Sequence, residues 1–197
     1  MRTLAEFYKT KSFSWFEGYS QECPKQCSLL SRLVNDVSVK KIMEIGFNAG
    51  HSAELFLSTN ANADVVSFDI GVHSYVNAGK QFLDDVYPGR HTLVLGNSLM
   101  SVPHYSRRGE TFDVIFIDGG HDYSIAKKDI ENCMKLAHQN TIVIMDDTIT
   151  STPEWTRQWN HGPTRAWLEA QSEGIVVQTG SADFEAGRGQ SWGRYVL

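Results

Sequence analysis

Short apolar runs recur along this chain, and stretches with helical periodicity separate them. Runs such as 112–118 and 141–146 are apolar almost throughout, which is typical of parallel strands buried on both faces of a sheet. The stretches between them place apolar residues three and four positions apart, so that one helix face can pack on the sheet. Strands that alternate with helices predict an α/β protein with helices on both faces of a parallel sheet.

The pattern also sets the expected bounds of the elements. Strands are predicted over 41–45, 64–70, 92–96, 112–118, 141–146, 175–179 and 191–197. Helices are predicted over 25–36, 52–58, 75–86, 124–137 and near 163–171. Pro163 can stand in the first turn of the last helix, where its missing N–H costs nothing. Ser151 and Glu154 give a weak capping-box signal for a short helix around Trp155, and 99–110 is expected to be a connection.

The central strands share a feature, since each is predicted to end in a polar or acidic residue. Ligands of such sheets bind beyond the carboxyl ends of the strands. The candidate site residues are therefore those that follow the strands: 44–52, Asp69, Asn97, Ser98, 118–123, Asp146 and Asp147. Their coincidence at one edge of the sheet is the main argument for a functional site.

The first candidate is a glycine loop after the strand 41–45. Gly46 and Gly50 stand four apart and a helix-forming stretch follows. A strand, a glycine turn and a helix expose backbone N–H groups and the positive end of the helix to a ligand. The spacing is G-x-x-x-G, whereas a dinucleotide site has G-x-G-x-x-G. We therefore expect this loop to bind a ligand other than NAD.

The ends of the next two strands suggest a nucleoside ligand. Asp69 can accept hydrogen bonds from vicinal ribose hydroxyls, as acidic residues do in nucleoside-binding α/β folds. Asn97 and Ser98 can contact an adenine edge. The alternatives are a solvated aspartate at a strand end and an ordinary polar turn.

Three carboxylates, Asp118, Asp146 and Asp147, follow two strands that should be neighbours. Carboxylates that converge repel one another unless they are protonated or neutralised by a cation. Oxygen ligands suit magnesium, calcium or manganese. In the alternative, Asp146 or Asp147 caps the next segment and Asp118 contacts a cofactor amine.

His121 stands three residues after Asp118, within a loop that contains two glycines. An imidazole that titrates near neutrality is a natural general base at physiological pH. His121 could instead be a further metal ligand or a hydrogen-bonding residue of the loop. The other six histidines lack a comparable position.

Composition narrows the classes of function. The net charge of −5 gives no support for a nucleic-acid partner, which usually requires a basic surface. No apolar run reaches the length of a membrane span, and the N-terminus lacks the apolar core of a signal peptide. The odd number of cysteines, three, argues against a disulfide framework. We therefore expect a cytoplasmic protein without a nucleic-acid or membrane partner.

These motifs resemble a known family. The stretch EIGFNAGHS over 44–52 is similar to the first motif of class I S-adenosylmethionine-dependent methyltransferases. Asp69, Asp118 and the pair Asp146 and Asp147 follow in the family's order, each at a predicted strand end. Within the family, the chain resembles the divalent-metal-dependent O-methyltransferases, namely the catechol, caffeoyl-CoA and macrocin-type enzymes. The resemblance runs from about residue 25 to the C-terminus.

The resemblance implies a Rossmann-like class I methyltransferase fold. Its sheet would have seven strands, mostly parallel, with an antiparallel last strand, and helices would cover both faces. Residues 190–197 are similar to that last strand. Residues 1–197 would form a single methyltransferase domain, with 1–24 as an N-terminal cap segment.

The resemblance also implies the cofactors, S-adenosylmethionine and a divalent metal, for which we expect Mg²⁺. The expected cofactor-binding residues are Glu44, Gly46, Phe47, Asn48, Gly50, Ser52, Asp69, Asn97, Ser98 and Asp118. The expected metal ligands are Asp118, Asp146 and Asp147, and the expected catalytic residues are His121 and Asp118. The family often has a catalytic lysine three residues after its metal aspartate, and here His121 occupies that place.

The expected reaction is O-methylation of a small molecule with adjacent oxygens, either catechol-like or a sugar. Two alternatives stay open: a metal-independent N- or O-methyltransferase, and a non-catalytic protein that binds S-adenosylmethionine. A NAD-dependent oxidoreductase ranks last because the glycine spacing is wrong.

Acceptor specificity is expected to come from the N-terminal 25 residues and from 99–110 and 149–162. The aromatic residues of the first and last of these segments are Phe7, Tyr8, Phe13, Trp15, Phe16, Tyr19, Trp155 and Trp159. These rings could stack on an acceptor, or they could form a packing cap or a contact in a homodimer.

Overall fold

The fold was analysed in a computed structural model, which describes residues 3–11, 13, 15–18, 22–151 and 157–197. Tyr19, Glu154 and Trp155 lie outside these residues. The predicted short helix around Trp155 and its capping box therefore lie outside the described structure as well.

One sheet organises the described chain, and its order is β3-β2-β1-β4-β5-β7-β6. Its strands are β1 (Lys41–Ile45), β2 (Asp64–Asp69), β3 (His91–Leu95), β4 (Phe112–Ile117), β5 (Ala137–Asp146), β6 (Val176–Asp183) and β7 (Gly189–Tyr195). Strands β1 to β5 pair in parallel, whereas β7 runs antiparallel to both β5 and β6. The predicted seven-stranded sheet with an antiparallel last strand is confirmed.

Helices cover both faces of this sheet. They are α1 (Leu4–Lys9), α2 (Pro24–Val34), α3 (His51–Thr59), α4 (Tyr75–Val86), α5 (Ser98–Ser106), α6 (Tyr123–Cys133) and α7 (Gln158–Ser172). One buried cluster contains Leu30, Phe56 and Leu83, and the cluster on the opposite face contains Ile130 and Trp167. The central strands β1 and β4 and the second half of β5 are thus buried on both sides, which explains their continuous apolar runs.

Several predicted bounds were wrong. Strand β5 begins at Ala137 instead of 141, and β6 ends at Asp183 instead of 179. Helix α6 ends at Cys133, and a 3₁₀ turn leads into β5 at Ala137, so the predicted helix over 124–137 was too long. Helix α7 begins at Gln158, which places Pro163 inside the helix instead of in its first turn. Residues 99–110 were expected to be a connection, but most of them belong to α5 or its last turn.

The N-terminal segment packs on the body of the protein. Phe7 and Tyr8 are buried in the first cluster, and Phe13 and Phe16 pack against it. The Tyr8 hydroxyl lies 2.9 Å from the carbonyl oxygen of Ala49. These rings therefore form a packing cap in the structure.

That residues 1–197 make a single domain stays a prediction. Within the described ranges, no helix is long and apolar enough to cross a membrane.

Candidate active site

The glycine loop lies against the end of strand β4. Gly46 has a φ of +97°, and its N–H donates to the Phe68 carbonyl at 2.8 Å. A Cβ at Gly46 would lie 1.8 Å from the carbonyl oxygen of Asp118. Both the positive φ and this close approach require glycine. The loop thus presents bare main chain at the carboxyl ends of β1 and β4.

Asp69 fastens the same loop from the end of β2. The Asn48 N–H donates to Asp69 Oδ2 at 2.7 Å, and the Gly71 N–H donates to Oδ1 at 2.7 Å. A carboxylate has about four acceptor positions, so each oxygen keeps capacity for another donor. Asp69 is partly exposed and lines a cleft. It can therefore hold the loop and accept hydrogen bonds from a ligand at once.

The N-terminal cap also reaches this cleft. The Asn48 side-chain amide donates to the carbonyl oxygens of Glu17 and Gly18 at 2.6 and 2.9 Å. Glu17 Oε2 lies 2.8 Å from His73 Nε2, and all four residues line the cleft. Sequence reasoning did not single out Glu17, Gly18 or His73, because their contacts depend on how the cap packs.

Glu44 forms a buried network behind the loop. Its carboxylate oxygens accept hydrogen bonds from the hydroxyls of Ser52 and Ser67, each at 2.6 Å. The Ser67 hydroxyl also lies 2.8 Å from His91 Nε2. Burial raises the pKa of Glu44 to about 7, although the two serine hydrogen bonds oppose the shift. Burial lowers the pKa of His91 to about 4, so this ring is neutral at physiological pH.

Glu44→Gln should become more stable relative to the wild type as the pH rises. The folded pKa of Glu44 is about 7 and the usual value is 4.5, so the unfolded chain loses this proton first. Glu44 therefore costs stability progressively between these two pH values, and a neutral glutamine avoids that cost. Thermal unfolding at pH 4.5 and pH 8 measures the difference. If the difference in Tm between Glu44→Gln and the wild type were equal at both pH values, the raised pKa of Glu44 would be contradicted.

The expected cofactor-binding residues divide into two groups. Those that line the cleft are Gly46, Asn48, Asp69, Asn97, Ser98 and Asp118. Those that lie behind the loop or in its turn are Glu44, Phe47, Gly50 and Ser52. Phe47, for example, is buried and stacks on His91 with ring centroids 5.0 Å apart. Asn97 also caps α5, since its Oδ1 accepts from the Leu99 N–H at 3.0 Å. The roles assigned to these residues stay predictions.

A second group of polar side chains lines the same cleft, after the ends of β4 and β5. Asp118, His121 and Asp147 each offer one donor atom, and these atoms lie within 4.8 Å of one another. His121 Nε2 lies 2.9 Å from Asp147 Oδ2. Two carboxylates and an imidazole are a donor set that fits a divalent cation.

The members of this group shift one another's pKa values. The hydrogen bond to Asp147 raises the pKa of His121, and the charges of Asp147 and Asp118 add to the effect. Burial raises the pKa of Asp118 well above its usual value, and the charges of Asp146 and Asp147 add to it. A bound cation would relieve this repulsion between carboxylates.

Asp146 has a different setting from the one predicted. The Gln26 side-chain amide nitrogen lies 3.0 and 2.8 Å from the two carboxylate oxygens of Asp146. Burial and the charge of Asp147 raise the pKa of Asp146 to about 8. Among the described residues, Asp146 is not part of the group of donor atoms within 4.8 Å. The structure therefore brings together two of the three predicted ligands, Asp118 and Asp147, and places His121 with them.

Both groups of side chains share one cleft with a volume of about 710 Å³. Trp159 lines this cleft near His121, with the two ring centroids 6.3 Å apart. Arg188 also lines the cleft and pairs with Glu22 at 2.6 Å. Arg188 was missed in the sequence because it lies in the turn before β7, away from the carboxyl ends of the parallel strands.

The chain is similar to known proteins both in a family of sequences and in its fold. A family model described as a methyltransferase domain matches residues 43–148. No curated protein matches the chain. The O-methyltransferase from Bacillus cereus in complex with SAH has a TM-score of 0.75 and 20% identity, over 98% of this chain and 90% of that one.

Two further solved structures share the fold. TomG from Streptomyces achromogenes is an O-methyltransferase involved in tomaymycin synthesis, solved with SAM. It has a TM-score of 0.73 and 17% identity, over 98% of this chain and 88% of that one. The N-methyltransferase NodS from Bradyrhizobium japonicum has a TM-score of 0.63 and 13% identity, over 88% of this chain and 96% of that one.

Proposed function

The chain belongs to the methyltransferase-domain family, and we propose that it transfers a methyl group from S-adenosylmethionine to an oxygen atom of a small molecule. The observation that supports this most is that one cleft contains both the glycine loop with Asp69 and the group of Asp118, His121 and Asp147. The fold itself, a class I methyltransferase fold, is as predicted.

The glycine-loop side of the cleft would bind the cofactor. When bound, S-adenosylmethionine supplies a methyl group activated by a sulfonium. Asp69 would accept the ribose hydroxyls with the lone pairs that Asn48 and Gly71 leave free. Asn97 and Ser98 line the cleft nearby and would contact the adenine edge. Gly46 lets the loop pack against the Asp118 carbonyl, and the main chain of this loop would contact the methionine part.

The part of the cleft after β4 and β5 would bind the acceptor and a divalent cation held by Asp118, His121 and Asp147. When bound, such a cation lowers the pKa of an acceptor hydroxyl and orients it. The chain's own residues would fix the acceptor beside the cofactor, which accounts for a large part of the rate enhancement in such reactions. His121 Nε2 can either share the cation or accept the acceptor's proton.

The acceptor class follows from these side chains. Chelation favours an acceptor with two adjacent oxygens, and Trp159 offers an aromatic face near His121. Either a catechol ring or a sugar face fits this description. We therefore propose a catechol-like molecule or a sugar with a vicinal diol as the acceptor.

The first test measures cofactor binding and then transfer. Calorimetric titration of the full chain with S-adenosylhomocysteine should show binding at a single site. Incubation with S-adenosylmethionine, catechol or a hexose panel should then give a methylated acceptor, detected by mass spectrometry. No cofactor binding would contradict the proposed function. Transfer to an amine acceptor but to none of the oxygen acceptors would favour N-methylation, a chemistry that NodS shows on the same fold.

Removing divalent cations should abolish transfer while cofactor binding remains. The expected reason is that Asp118, His121 and Asp147 follow β4 and β5, whereas Asp69 ends β2, which β1 separates from β4 in the sheet. Activity is measured before and after chelation with EDTA, and after a divalent cation is added back. Turnover that survives chelation would support a metal-independent methyltransferase, in which the two aspartates have structural roles.

A further inference from the structure

Helix α2 supplies a residue that reaches the end of strand β5. Gln26 lies in α2, is almost fully buried, and places its amide nitrogen 3.0 and 2.8 Å from the two oxygens of Asp146. Asp146 is itself buried and stands opposite Gln190 in the antiparallel pairing of β5 with β7. Two side-chain amides, from Gln26 and Gln190, therefore neighbour this carboxylate.

This contact bears on which side chains can bind a cation. Gln26 bonds to both oxygens of Asp146, and Asp146 is not among the described residues whose donor atoms come within 4.8 Å of one another. By contrast, Asp118, His121 and Asp147 have one donor atom each within 4.8 Å of the others. Asp146 still lies close enough for its charge to act on Asp118. Asp146 therefore lies next to the group of Asp118, His121 and Asp147 without belonging to it.

The identity of the third donor affects metal preference. Three carboxylates form a hard oxygen set that suits Mg²⁺. An imidazole nitrogen in place of one carboxylate favours first-row transition cations, which bind nitrogen ligands well. Which cation the centre prefers thus depends on whether Asp146 or His121 contributes.

We propose that Gln26 is a positioning residue that holds Asp146 out of the metal coordination, so that Asp118, His121 and Asp147 form a centre that favours a transition cation over Mg²⁺. The inference rests on the proposed function only for the location of the metal on the acceptor side. It makes His121 a ligand and not the general base. The acceptor hydroxyl, acidified by the cation, would then release its proton to solvent.

The test compares two adjacent aspartates under the same substitution. The full chain and its Asp146→Asn and Asp147→Asn variants are titrated with CoCl₂ and with MgCl₂ in a calorimeter. Asp147→Asn should lower Co²⁺ affinity by at least about 100-fold. Asp146→Asn should lower it by no more than about tenfold, the lower end of the range for an outer-shell partner. Equal losses in the two variants would overturn the proposal.

Two further variants test His121 and Gln26 directly. His121→Ala should lower Co²⁺ affinity at least about tenfold more than Mg²⁺ affinity, because it removes the nitrogen ligand. Gln26→Met replaces the amide with an apolar chain of similar length and frees Asp146. In that background, Asp146→Asn should reduce metal affinity more than it does in the wild type, which a double-mutant cycle measures.

Binding of S-adenosylhomocysteine distinguishes an error in this inference from an error in the proposed function. Each variant should still bind S-adenosylhomocysteine, which also shows that it is folded. A wild-type protein that binds S-adenosylhomocysteine but neither Co²⁺ nor Mg²⁺ would overturn the inference alone. A double-mutant cycle without coupling between Gln26 and Asp146 would overturn the role assigned to Gln26. A protein that binds no cofactor would contradict the proposed function itself.

Discussion

Gly46→Ala is expected to abolish measurable S-adenosylhomocysteine binding and to lower Tm by at least about 10 °C. The new Cβ would lie 1.8 Å from the carbonyl oxygen of Asp118, which is backbone and cannot rotate away. The φ of +97° adds a conformational cost for any residue with a side chain. The loop would have to leave the end of β4, and the cofactor side of the cleft would change shape with it.

A matched glycine separates the clash from the backbone cost. Gly109 also has a positive φ, +70°, but a Cβ there would meet nothing within 4 Å. Gly109→Ala should therefore lose only roughly 1–2 kcal/mol of stability, the cost of the left-handed conformation for a residue with a side chain. This corresponds to a fall of about 2–8 °C in Tm. It should bind S-adenosylhomocysteine as the wild type does. Similar Tm values for the two variants would show that the close approach at Gly46 has no energetic consequence.

The same loop explains why the start of the sheet could be predicted from sequence. Strand β1 has the predicted bounds, 41–45. The apolar run there stops at a glycine, and a glycine after such a run indicates a turn. The ends of β2 and β4 were predicted to within one residue for the same reason, since a buried apolar run stops at an acidic residue. Burial on both faces leaves a strong signal in the residues themselves.

Other elements lack such a signal. Helix α5 contains an internal proline, Pro103, and only Val102 and Tyr105 are buried, so neither periodicity nor propensity indicated a helix. Strand β5 begins at Ala137, and its first four residues are polar or small and partly exposed. Their pairing depends on the neighbouring strand, which the local pattern does not contain.

The candidate site likewise has a part that the sequence predicts and a part that it does not. The carboxyl ends of parallel strands meet at one edge, so topology alone brought Asp69, Asp118 and Asp147 to one cleft. Topology does not set where a side chain points. Gln26 contacts Asp146 from 120 positions away in sequence, and no local pattern could predict that contact. For this reason the group of donor atoms within 4.8 Å contains Asp118 and Asp147 but not Asp146, which the resemblance also implied as a ligand.

Asp69→Asn is expected to lower the affinity for S-adenosylhomocysteine by at least about 100-fold. The carboxylate would accept two ribose hydroxyls, and hydrogen bonds to a charged group contribute roughly 1.5–3 kcal/mol each. The two Asp69 oxygens also accept the N–H groups of Asn48 and Gly71. An asparagine has only one side-chain oxygen, so its amino group would face one of these N–H donors and push the loop away.

Asp64→Asn is the matched control, because Asp64 begins the same strand at the opposite edge of the sheet and is exposed. It removes one negative charge without altering the cleft, so its cofactor affinity should equal that of the wild type. Calorimetry measures both variants under the same ionic strength, since screening changes with salt. Should Asp69→Asn bind as tightly as Asp64→Asn, the ribose would be held elsewhere, and Asp69 would serve only to shape the glycine loop through Asn48.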